Sequence, residues 1–133
     1  AKQKSLSPEE AKLLLKLLGE LLGTADRALS LARLNFAGAY QKSCMEICAD
    51  FPFLMSLDYE KGRISVAEMP SANMFVAGVM EALRKILDKL AAHPKFADVH
   101  RFTGQKLTAL AQQRSDYYKR YGIETLLKRM LGV

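Results

Sequence analysis

The sequence predicts a mainly α protein: a compact helical domain of four to five helices with a small β-hairpin inserted after the second helix. Three observations carry this. Apolar residues recur at helical spacing over most of the chain. That period gives way to two-residue alternation only between Phe53 and Glu68. Four prolines, Pro8, Pro52, Pro70 and Pro94, fall between the periodic stretches. The 133 residues suit one domain, 1–133, with enough chain to bury a core without disulfides or metals.

Ser7-Pro8-Glu9-Glu10 starts the first helix. Serine is a good N-cap, proline suits the first helical position, and the two acids sit at the positive end of the helix dipole. The helix is expected to reach Leu22 and stop at Gly23. Its polar strip is only Lys12, Lys16 and Glu20, against seven leucines between Leu13 and Leu22. Such a helix has to be covered on more than one side. Either two layers of the domain enclose it or a second chain meets Leu13 and Leu17; the second is favoured, since termini usually lie at the surface.

Thr24 is read as the cap of a second helix over 25–50, whose inward face is Ala25, Leu29, Ala32, Phe36, Tyr40, Cys44 and Ile47. Gly38, between Ala37 and Ala39, costs a helix about 1 kcal/mol against alanine, so close helix packing is its expected reason. Phe51-Pro52-Phe53 ends the helix. Alternation through Phe53, Met55, Leu57 and Tyr59 and back through Ile64 and Val66 predicts the hairpin, with Gly62 supplying a positive φ at the turn. A lone hairpin is marginal, so it lies on the helices or extends a partner's sheet through Tyr59 and Arg63.

Ser71 caps a third helix over 72–92, with Phe75, Val79, Leu83, Ile86 and Leu90 inward and Glu81 paired with Lys85. His93-Pro94 ends it. A fourth helix over 95–121 points Phe96, Val99, Thr103, Leu107, Leu110, Tyr117 and Tyr121 inward, and Gly122 stops it. The last segment, 123–131, is amphipathic and basic and is expected to dock on its own domain through Ile123, Leu126, Leu127 and Met130.

The net charge of +6 is uneven: residues 71–133 hold eleven basic and five acidic side chains, and the rest of the chain nearly cancels. On the fourth helix Arg101, Gln105, Thr108, Gln112, Ser115 and Lys119 share one polar face. Arg101, Lys106, Arg114, Lys119 and Arg120, interleaved with tyrosines, form a candidate nucleic-acid surface. The plain alternative is a solvated face.

Catalytic patterns are missing. The sequence has no G-x-S-x-G, no phosphate-cradling glycine loop and no oriented Cys-His pair. Cys44 and Cys48 are four apart on a helix, too far for a disulfide, and with His93 and His100 they match no zinc spacing. No metal and no cofactor is expected, and the reduced thiols point to the cytoplasm. The longest apolar tracts are far shorter than a membrane span. Ala1-Lys-Gln-Lys lacks both a signal-peptide core and an initial Met, as in a processed chain or a piece of a larger protein.

The leading functional expectation is a non-catalytic interaction or regulatory domain in signalling, binding a protein partner or forming a homodimer through Leu13, Leu17, Tyr59 and Arg63. The first alternative is nucleic-acid binding by the basic C-terminal half. The second is a small-ligand sensor with Phe36, Tyr40, Cys44 and Met80 lining a pocket between helices.

Overall fold

A Ser7 cap and a Pro8 start give the first helix the beginning its sequence specifies. In the computed structural model, which describes residues 7–132, α1 runs over Pro8–Leu31, and Ser7 Oγ accepts from the Glu10 amide at 3.1 Å. The Ala1–Lys4 segment and Val133 lie outside the described residues.

Helix α1 continues through the expected stop at Gly23. Gly23 does not take a positive φ, and the Thr24 hydroxyl donates to the Glu20 carbonyl at 2.9 Å instead of capping a new helix. The helix ends nine residues after Leu22, where Arg33 takes φ 62°. There the amides of Leu34 and Arg33 donate to the carbonyls of Leu29 and Ser30, the paired bonds of a Schellman ending. Asn35 then caps α2 (Phe36–Ile47), its Oδ1 accepting from the Gly38 amide at 3.1 Å. The expected single helix over 25–50 is therefore two pieces of different helices. Gly38 is exposed, and a Cβ on it would stand 2.7 Å from the Asn35 side-chain nitrogen. It makes room for the cap, not for another helix.

Pro52–Ser56 forms a 3-10 turn where the first strand was expected to begin. The burial of Phe51, Leu54 and Leu57 follows the three-residue period of that turn, and Met55 points outward, 68% exposed. The hairpin is the short remainder: β1 (Asp58–Glu60) pairs antiparallel with β2 (Arg63–Ser65), Tyr59 opposite Ile64. Lys61 and Gly62 both take positive φ, 47° and 83°, as a two-residue type I′ turn requires.

Helix α3 (Ala72–Ala92) has the predicted bounds and Ser71 cap. Glu81 bonds Arg84 instead of Lys85, which reaches Glu46 across to α2 at 3.3 Å. After a 3-10 turn at Pro94–Phe96 comes α4 (Ala97–Gln113). Arg114 interrupts the helix, α5 covers Ser115–Arg120, and α6 covers Ile123–Leu131 after Gly122 at φ 75°. The interruption puts Tyr118 inside, at 0% exposure, and leaves Tyr117 41% exposed, the reverse of the expected inward Tyr117. Tyr121 is half-buried. Ile123, Leu127 and Met130 dock α6 on the domain as the sequence predicts.

Helix α1 lies in the middle, against α2, α3, α4 and β2. Leu14, Leu18, Leu21 and Leu22 are fully buried, and Leu17 nearly so. The chain itself supplies the layers that enclose α1. Among the described residues no helix is long and apolar enough to cross a membrane.

The hairpin meets α1 by backbone contact. Gly19 and Gly23, one turn apart, face Gly62. A Cβ on Gly19 would stand 2.6 Å from the Gly62 carbonyl oxygen, and one on Gly23 2.9 Å from the Gly62 Cα. The Tyr59 hydroxyl fixes the approach, donating to Asp26 at 2.6 Å and accepting from the Gly62 amide at 3.0 Å. Gly19→Ala is expected to lower stability by about 1–2 kcal/mol in urea unfolding, because overpacking outweighs alanine's helix preference. Gly104→Ala in α4, where the added Cβ would meet only the tip of Leu131 at 3.4 Å, is expected to be neutral or stabilising by up to about 1 kcal/mol.

Candidate binding groove

The polar face read from the fourth helix is the lining of a groove. Arg101, Gln105, Thr108 and Gln112 border its wider part, about 640 Å³, with His100 on the same helix. Thr108 and Gln112 continue into a second part of about 310 Å³, joined there by Ser115 and Lys119. Leu131 lies in both parts, so they form one furrow along α4 and α5. The opposite wall is α6, through Leu127, Lys128 and Leu131, and Ala91 of α3 closes one end. The end of α6 reaches Gly104 through Leu131. The floor is thus made of small and aliphatic groups and the rim of amides, hydroxyls, cations and the carboxylate of Glu124.

The basic residues divide among several tasks. Arg114 points away from the groove and grips Glu20 of α1 with two nitrogens, at 3.0 and 3.1 Å. That pairing raises the Arg114 pKa further above the usual guanidinium value. Lys106 lies over the Phe102 ring at 5.3 Å and Arg120 beside Tyr117 at 6.0 Å. Arg101 and Lys119 remain on the groove, Arg101 beside Asp98 at 3.3 Å with both side chains exposed. The five candidate nucleic-acid residues therefore do not share one face.

The other candidates scatter as well. Leu17 is 4% exposed within the chain; half-buried Leu13 lies with it beside Arg114 and Tyr117. Tyr59 turns its hydroxyl to Asp26 and its ring edge to Phe36, 5.4 Å away. Arg63 is on the exposed side of the hairpin. Leu13 and Leu17, Tyr59, and Arg63 line three different depressions. Phe36, Tyr40, Cys44 and Met80 are packed core. Phe36 and Tyr40 stack at 5.6 Å, and a small cleft touches Tyr40 and Cys44 without reaching Phe36 or Met80.

Among the described residues no three His, Cys, Asp or Glu side chains gather as a metal site. His93 is exposed at the end of α3, its ring against Phe96. Cys44 is buried and Cys48 half-buried. Burial pushes the Cys44 thiol up to about 11, and Tyr40 beside it lowers it slightly. A thiol reagent is therefore expected to label Cys48 in the native protein and Cys44 only after unfolding. Labelling of both at one rate would contradict this.

Sequence reasoning found the α4 face but not its opposite wall. The signal available was the row of small residues at seven-residue spacing, Ala97, Gly104 and Ala111, beside the polar stripe.

Two buried tyrosines make a matched comparison. The Tyr40 hydroxyl donates to the Val79 carbonyl at 2.9 Å. The Tyr118 hydroxyl is buried with no hydrogen-bond partner among the described residues, and burial raises its pKa. Tyr40→Phe should cost about 1 kcal/mol. Tyr118→Phe should be neutral or stabilising by up to about 1 kcal/mol, since it removes a desolvated hydroxyl that bonds nothing. Denaturant midpoints of the two variants test the contrast.

No protein-family model matches the chain, and comparison with curated proteins and with solved structures likewise finds no match.

Proposed function

We propose that the chain is a non-catalytic interaction domain that holds its partner along the α4–α6 groove. One observation carries the reading. Polar side chains of α4 and α5, from Arg101 to Lys119, line two adjoining depressions that share Thr108, Gln112 and Leu131 and have an aliphatic floor. A merely solvated face needs no furrow. A binding face uses it to exclude water beneath hydrogen-bonding groups. The cationic rim favours an acidic partner. Self-association through Leu13 and Leu17 has less support, because Leu17 is used inside the domain.

The test is a titration of isotopically labelled protein at low salt, with poly-L-glutamate and with a single-stranded oligonucleotide as probes. With at least one polymer, shifts should centre on Arg101, Gln105, Gln112 and Lys119, and the glutamine side-chain amides report the rim directly. The Arg101→Glu/Lys119→Glu variant should keep its circular dichroism and lose the response. A response centred on the hairpin or α2, or none with either polymer, refutes the proposal.

A further inference from the structure

The chain beyond α4 is tied to the domain by few polar bonds. The Arg114 amide donates to the Leu110 carbonyl at 3.0 Å, ending the ladder of α4. The ladder resumes at the Tyr118 amide, which donates to the Arg114 carbonyl at 2.9 Å. No side chain caps the start of α5, so Arg114 is a joint between two helical pieces. Gly122, at φ 75°, then turns the chain into α6, which packs on α3 and forms one wall of the groove.

Two features act on the docking of α5 and α6 in opposite senses. Among the described residues, the Arg114–Glu20 pair is the only hydrogen-bonded or ion-paired side-chain link between residues 114–132 and the rest of the domain. The remaining hold is apolar, through the Tyr118 ring and through Ile123, Leu127 and Met130. The Tyr118 hydroxyl opposes docking, because it gives up water and gains no partner among the described residues. Releasing the two helices uncovers those side chains and the surface beneath them. Unfolding the whole domain also uncovers the leucines of α1, so release is the smaller step.

We infer that α5 and α6 detach together as one arm hinged at Arg114, and that the Arg114–Glu20 pair is the latch that holds the arm down. Both latch partners are partly exposed, so added salt weakens it. Leu127, Lys128 and Leu131 of the arm form one side of the groove, so opening the arm removes a wall. An occupant that touches both walls favours the docked arm. The opening itself does not depend on what the groove holds.

The experiment is native-state hydrogen exchange of the whole chain, read by mass spectrometry. Simple fraying would leave protection rising steadily inward from the end of α6 and would be indifferent to Glu20. A hinged arm gives α5 and α6 one shared opening constant, at least about tenfold larger than that of α1 and α3. Glu20→Gln should raise that constant about threefold in both helices, including the end of α6, to which Glu20 makes no bond. The hairpin and α2 should keep their exchange. Arg114→Gln should match Glu20→Gln, and the double variant should add nothing to either, as for two partners of one bond. Protection graded along α6, or an opening constant equal to that of α1 and α3, overturns the arm. A shared constant that neither latch variant changes overturns the latch.

Discussion

Helix α1 presents apolar residues around most of its circumference, so any side left to water would expose leucine. Burying one leucine is worth roughly 1.5–3 kcal/mol, and four leucines of α1 are at 0% exposure. The surrounding elements are arranged to meet that demand: α4 on one flank, α2 and α3 on others, and the hairpin across Gly19 and Gly23. The narrow polar strip read from the sequence is where the cover stops. Lys12 and Lys16 are exposed along it. Glu20, half-buried at its inner end, is met by Arg114 from the far end of α4.

The hairpin shows why this cover needs glycine. A two-stranded ribbon of three residues per strand has little surface of its own to bury. It gains hold by bringing its turn backbone against the backbone of α1, and only glycine on both sides allows that distance. Tyr59 then closes the contact by bonding both Asp26 and the Gly62 amide. A glycine pair that looks like the end of a helix is, in the folded chain, the seat of its neighbour.

That ambiguity marks the limit of what the sequence discloses. Starts and stops written in strong local chemistry were legible: Ser7-Pro8, Ser71, His93-Pro94 and Gly122 all act as read. Gly23-Thr24 carried the same local signal and meant something else, because a tertiary contact claimed the glycine. The true end of α1 uses Arg33 in the left-handed region, and nothing in an arginine announces that. The tyrosines of α5 failed for a related reason. Extrapolating one helix through Arg114 places Tyr117 inside, and a single interruption of the helix exchanges it with Tyr118. On the groove, the α4 face was legible from its period, while the wall from α6 required knowing how the tail folds back. That Leu13 lies beside Arg114 and Tyr117, apart from Tyr59 and Arg63 on the hairpin, was likewise a matter of packing, beyond any one element's pattern.

The charge excess of the C-terminal half illustrates how composition and surface part company. Counted along the sequence, Arg101, Lys106, Arg114, Lys119 and Arg120 form one basic cluster. In the fold, Arg114 crosses to α1, and Lys106 and Arg120 lie along aromatic rings of their own helices. Interactions of the latter kind need no partner molecule; they cover aromatic surface while leaving the charge in water. What remains for an external ligand is set by the position of each cation more than by their number. Along α4 and α5 that leaves Arg101 and Lys119 on the groove, among hydrogen-bonding side chains.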